Sequence, residues 1–187
     1  MSRRSRAREV AVQVLYQDDL NPGLNPAEAD QFLLRRLGGA APPEKPTEPE
    51  EPVVEGKWVP TRSSPFAGMG KPAEASPADF EAGLPASASA LIEFARSLVS
   101  GVRRNRQELD ALLGKTADNW KLERMAATDR NILRVGAFEL LYTDTPGAVV
   151  INEAVELAKR YGTANSAQFV NGILDKLHTS HRSDAKR

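Results

Sequence analysis

The chain has 187 residues, no cysteine, 13 prolines, 13 glycines, and 25 Lys+Arg against 25 Asp+Glu. That length suits one hydrophobic core, and the lack of cysteine excludes disulfides, thiolate metal sites and thiol nucleophiles and fits a reducing, cytoplasmic location. The neutral sum gives no bulk attraction to polyanions, but it hides a basic start with Arg3, Arg4, Arg6 and Arg8 and an acidic middle with Glu44, Glu48, Glu50, Glu51 and Glu55. The basic start leads into a charged amphipathic stretch, so a signal peptide is not expected, and no run approaches the ~20 apolar residues of a membrane span.

From residue 5 to 20, Ala7, Val10, Ala11, Val14 and Leu15 recur at steps of three and four and predict a first helix with one buried face. Asn21-Pro22-Gly23 ends it, because proline lacks an amide hydrogen and glycine tolerates the turn. A second helix starts at Asn25-Pro26-Ala27-Glu28, a capping box with proline at the first helical position, buries Ala29, Phe32, Leu33 and Leu37, and stops at Gly38-Gly39. Residues 40–86 hold Pro42, Pro43, Pro46, Pro49 and Pro52 among charges and are predicted to be a long, largely disordered insertion. Trp58, Val59 and Phe66 within it have enough apolar area to dock on the domain.

Helical spacing returns at residues 87–113 through Leu91, Phe94, Ala95, Leu98, Val99, Val102, Leu109, Leu112 and Leu113, as one long helix or two with a bend. Gly114 closes it, and a short segment follows around Trp120, Leu122 and Met125. Thr128 or Asp129 is placed to cap a helix with Ile132, Leu133, Gly136, Ala137, Leu140 and Leu141 on its core face. After Thr145-Pro146-Gly147, the run Val149-Val150-Ile151 fits strand or helix, with helix favoured because Ala154, Val155, Leu157, Ala158 and Tyr161 continue the period. Gly162 ends that helix. A last helix is capped by Asn165-Ser166-Ala167-Gln168, buries Val170, Ile173, Leu174 and Leu177, and gives way to a frayed polar tail from His178. No useful stretch alternates with period two, so the fold class is all-α, about six or seven helices packed as bundles.

Catalysis has no candidate residues: the chain shows no phosphate loop, HExxH or serine elbow, and its carboxylates lie at caps or on charged faces. His178 and His181 have helical metal-ligand spacing, but without a third ligand they read as solvated side chains, so neither a metal nor a cofactor is expected. Tyr16 lies about half a turn from Ala7, Ala11 and Val14 at ~100° per residue. With Val12 and the arginines it offers RNA a stacking and charged surface, unless it packs against another helix. Phe169, Gly172 and Lys176 form a ridge at the edge of the last helix's apolar stripe. A glycine there costs about 1 kcal/mol relative to alanine, which close approach of a helix or of a ligand backbone explains.

Four segments, RAREVAVQVLY at 6–16, DRNILRVGAFEL at 129–140, VINEAVELAKRYG at 150–162 and FVNGILDK at 169–176, together and in this order resemble the NusB family of transcription antitermination factors. The resemblance covers residues 5–37 and 87–177. It implies two small helical bundles that bind the boxA element of ribosomal RNA leader transcripts together with NusE, a small-subunit ribosomal protein, and act on the transcription elongation complex. It implies no enzymatic activity, and a homodimer is a possible free state. By resemblance Arg3, Arg4, Arg6 and Arg8 contact RNA phosphates, Tyr16, Phe169 and Asn171 lie near RNA with Arg134 as a further contact, and Asp129 faces the protein partner; the ridge position of Lys176 adds it to the RNA-binding candidates. The Pro-rich insertion and Ser5 within the arginine cluster depart from the family pattern. Two other classes stay open: the RNA-binding module of a ribosomal RNA methyltransferase, which would need a catalytic domain, and a structural helical oligomer.

Overall fold

A computed structural model of the chain describes residues 2–21, 23, 25–38, 84–117 and 122–184. The described residues form α1 (Arg3–Leu20), α2 (Pro26–Leu37), α3 (Ala86–Arg104), α4 (Arg106–Thr116), α5 (Ala127–Tyr142), α6 (Gly147–Tyr161) and α7 (Ser166–Asp184), with a 3-10 turn at Leu122–Arg124. No strand occurs among them. The expected insertion at 40–86, with Trp58, Val59 and Phe66, lies almost wholly outside the described residues, as does Trp120.

Helices α1, α2 and α3 pack on one another, and α4, α6 and α7 gather around α5, which also meets α1 and α3. These are the two expected bundles, sharing one continuous core. Because α1 lies between α2 and α3 on one side and α5 on the other, it is buried nearly all round. Val12, expected on the outer surface, is 1% exposed. Burying aliphatic side chains of this size contributes roughly 1.5–3 kcal/mol each, so the central position of α1 is well supported.

Caps follow sequence chemistry where a side chain has nothing better to bind. Asn25 Oδ1 accepts from Ala27 N at 3.0 Å, with Pro26 at the first helical position. The expected cap at Thr128 or Asp129 is not used: α5 begins at Ala127 with Ala126 in the cap position and no side-chain cap bond. The long apolar run is two helices with the bend at Asn105, and Gly114 lies inside α4 rather than ending it. The Val149-Val150-Ile151 run is helical, within α6. Gly162 ends α6 with φ −93°, so handedness does not require it. A Cβ there would sit 2.4 Å from Ser166 Cβ and 2.6 Å from the Ala158 carbonyl oxygen, and that close approach is what demands glycine.

The tail expected to fray from His178 continues as helix to Asp184. Leu177 is buried and the His178 imidazole packs on Gly147, where a Cβ would meet Nε2 at 2.4 Å. No described helix is long and apolar enough to cross a membrane.

Candidate functional site

The start of α1 sorts its polar residues by direction. Ser2 caps the helix, its Oγ accepting from Ser5 N at 3.1 Å. Ser5 Oγ donates to Glu153 on α6 at 2.8 Å, so the serine that interrupts the arginine cluster ties two helices together. Arg3, Arg4 and Arg6 are exposed. Arg4 stacks its guanidinium over the Phe94 ring at 5.4 Å, and Arg6 donates from Nε and Nη2 to the Arg36 carbonyl at 3.3 and 3.2 Å. A cleft of about 400 Å³ opens beside them, lined by Ser2, Arg4, Arg8, Pro146, Val149 and Glu153 among others.

Arg8 departs from the expectation. It is 3% exposed and donates from Nε and Nη2 to both oxygens of Glu139 at 2.7 Å, with Glu153 at 3.9 Å and the Phe94 ring at 5.2 Å. A bidentate pair this deep satisfies most of the guanidinium inside the fold and leaves only a small edge of Arg8 on the cleft. Arg134 is likewise buried, 3% exposed, and donates to Asp110 at 2.7 and 2.8 Å, to Asp19 at 3.0 Å and to Asn131 at 3.0 Å. Both arginines hold helices together behind the surface that the sequence assigned to them.

Asp19, at the end of α1, gathers Arg106, Arg130, Arg134 and Asn131. Burial pushes its carboxyl up, but the hydrogen bond from Arg130 and the charges of Arg134, Arg130 and Arg106 outweigh that, and the pKa lies below its ordinary value of 3.8. At the other end of the first bundle, Glu9 accepts from Tyr161 and Arg160 on α6. Burial and the neighbouring Glu9 carboxylate raise the Tyr161 hydroxyl.

These ties fix where the remaining candidates sit. Asp19 binds the start of α5 through Arg130, and Asp129, two residues into α5, accepts from Ser166 Oγ at 2.8 Å at the start of α7. The end of α1 and the starts of α5 and α7 therefore converge, bringing Tyr16, Asp129 and Phe169 to one end of the molecule. Arg3 lies at the other end of α1, about 20 Å from Tyr16 at ~1.5 Å per residue. Tyr16 and Phe169 are half-buried, with Phe169 packed against the core, and Asn171 and Lys176 are exposed. Gly172 is exposed, and a Cβ there would meet nothing within 4 Å, so no helix packs on it. Asp129 is 8% exposed, and its Oδ1 has no hydrogen-bond partner among the described residues. Among those residues no group of three or more His, Cys, Asp or Glu is placed to hold a metal.

The buried ion pairs are what sequence reading missed. Their members are ordinary charges on helical faces, and only the crossing of α1 with α5 sets Arg8 against Glu139 and Asp19 against Arg134. A usable signal existed for Arg8, which is four residues from Arg4 but shares the turn of the buried Ala7 and Ala11.

Comparison with known proteins agrees with this architecture. The NusB family model matches residues 80–179. A transcription antitermination protein NusB from Anaeromyxobacter dehalogenans is 38% identical over 176 residues, covering 94% of this chain and 90% of the relative. One from Symbiobacterium thermophilum is 39% identical over 178 residues, with 95% and 89% covered. The solved structure of T. maritima NusB aligns with TM-score 0.62 and 26% identity over 100% of this chain and 99% of that one. A chain in the crystal structure of antitermination factors NusB and NusE with double-stranded RNA aligns with TM-score 0.62 and 22% identity, covering 96% and 98%, a likeness of fold. Helix order, the shared core and similarity across nearly the whole length lead to one conclusion: this chain belongs to the NusB family.

Proposed function

We propose that this chain binds the boxA element of ribosomal RNA leader transcripts as a heterodimer with NusE and, within the transcription elongation complex, helps RNA polymerase pass terminators. The carrying observation is the segregation of charge on α1: Arg3, Arg4 and Arg6 are exposed and have no carboxylate partner among the described residues, whereas Arg8 is buried against Glu139. Exposed arginines without carboxylates suit phosphate oxygens, which supply most of the affinity and make it fall with salt. Tyr16 and Phe169 supply stacking faces, Asn171 and Lys176 polar contacts, and the open backbone at Gly172 lets an RNA strand approach the helix closely. Arg8 and Arg134 position these surfaces rather than touch RNA. Asp129, with one buried carboxylate oxygen lacking a donor, marks the NusE side. The solved complex of relatives, NusB and NusE with double-stranded RNA, supports this choice of partners.

The test is titration of a boxA RNA and a scrambled RNA of equal composition, with and without NusE, across a salt series. Preference for boxA that strengthens with NusE is expected. Arg4→Ala with Arg6→Ala should weaken both RNAs alike and flatten the salt dependence. Equal affinity for the two RNAs, or a tight homodimer indifferent to RNA and NusE, would overturn the reading.

A further inference from the structure

Among the described residues, Arg8, Arg96, Arg103, Arg106, Arg130, Arg134 and Arg160 each have a carboxylate within 4.0 Å. The two arginines in the last turn of α2, Arg35 and Arg36, have none among the described residues, although both are partly exposed. Arg36 lies over the Phe32 ring at 5.5 Å, and its carbonyl oxygen accepts both bonds from Arg6. The end of α2 is thereby pinned to the start of α1, with Arg3 on the same face of α1 as Arg6. Arg3, Arg6 and Arg36 thus form one basic surface that crosses from helix to helix, with Arg35 next to Arg36 on the last turn of α2.

We infer that Arg35 and Arg36 extend the RNA-binding surface onto α2 and take up phosphates of the strand flanking the boxA element. The inference rests on the reading under Proposed function and adds a second helix to its surface. Last-turn arginines also complement a helix dipole, by about 0.3–1 kcal/mol where exposed. Arg6 shares that role, since both its bonds go to the Arg36 carbonyl at the end of α2, and it gathers a third guanidinium there, a concentration of like charge that favours an anionic ligand. A single-stranded RNA backbone fits this arrangement better than a folded acidic protein patch, because the charges cross from one helix to the next and Arg36 rests on an aromatic support in Phe32.

The experiment compares wild type, Arg35→Ala with Arg36→Ala, and Arg35→Lys with Arg36→Lys, each with NusE. Each binds a boxA RNA extended by flanking nucleotides and a scrambled RNA of the same length, over a salt series. The alanine pair should weaken both RNAs about equally and reduce the slope of log K against log salt by roughly 0.7 per lost phosphate contact, about 1.4 for the pair. The lysine pair should restore the slope, because phosphate contact needs the charge, whereas a role for arginine in packing on Phe32 would not be restored. Circular dichroism on each variant establishes that it is folded. An unchanged slope in a folded alanine variant overturns the inference. If wild type shows no preference for boxA but the slope change persists, the basic surface stands and the boxA reading falls. If wild type binds neither RNA, both fall.

Discussion

Replacing Asp19 by Asn tests whether the charge cluster at the end of α1 is the joint between the two bundles. The Asp19 side chain is 2% exposed and accepts from Arg130 Nε and Nη2 at 2.9 and 2.6 Å, from Arg134 Nη1 at 3.0 Å, from Asn131 Nδ2 at 3.1 Å and from Arg106. Asparagine keeps the shape, removes the charge and turns an NH2 group toward guanidinium donors. Removing one member of a buried ion pair costs about 3–5 kcal/mol, because the partner charge stays buried and unpaired. Two features soften that cost. Arg134 keeps Asp110, and Arg106, whose side chain is 41% exposed, relaxes into water. The expected loss is therefore about 3 kcal/mol, the low end of that range, and a large share of the ~5–15 kcal/mol typical of a domain. Urea unfolding of both proteins at constant m measures it. The depressed Asp19 pKa fixes the sign of the pH dependence. Its stabilisation is fully present above the unfolded value of 3.8 and disappears as pH falls through the lower folded value, so the gap between the two proteins should close only below 3.8. A loss under about 1 kcal/mol at neutral pH, typical of exposed pairs, or a gap that does not narrow in acid would refute the reasoning.

Three further outcomes follow from the same geometry. Arg8→Ala leaves the Glu139 carboxylate buried without its bidentate partner and should cost about 3–5 kcal/mol of stability, whereas Arg4→Ala should leave the melting temperature nearly unchanged and weaken RNA binding; thermal melts beside RNA titrations separate the two. Gly101→Ala places a Cβ 2.1 Å from the Phe138 ring and should destabilise by about 1–3 kcal/mol, while Gly172→Ala, with nothing within 4 Å, should stabilise by about 1 kcal/mol and weaken RNA binding if the strand passes over that backbone. Phe169→Ala should lose about 1–3 kcal/mol of RNA affinity as a stacking residue; because the ring is only half-buried, its folding loss should stay below the ~3–5 kcal/mol of a fully buried aromatic, as denaturant titration would read. A larger folding loss with normal RNA binding would assign Phe169 to the core.

Much of the fold is legible in the order of residues. Apolar residues at steps of three and four announce helices because burial of one stripe is what stabilises them, and Asn25-Pro26 carries its own cap chemistry. That is why the position of α2, the helical state of 150–161 and the core face of α7 agree with the sequence, while in α3 Ile92 rather than Leu91 and Phe94 is fully buried. Boundaries that depend on partners far along the chain do not. Asp129 looks like a cap for α5 but binds Ser166 of α7 instead, and Gly114 looks like a stop but sits within a helix that packs on α5 and α7.

For the candidate site, the sequence by itself determined composition and order: a basic start, an aromatic one turn before the end of α1, and a ridge of Phe169, Gly172 and Lys176. Direction was decided only by tertiary structure. An arginine's helical position says which way it leaves its own helix, but not whether a carboxylate from another helix waits there. The crossing of α1 with α5 turns Arg8 and Arg134 from surface cations into buried, saturated ones. The packing of α2 against α1 brings Arg36 beside Arg6 across thirty positions of sequence. Local periodicity encodes one buried stripe per helix, but the burial of Val12, Arg8 and Arg134 off those stripes is set by how the helices cross. Pairing of charges between helices depends on crossing geometry that no local pattern contains.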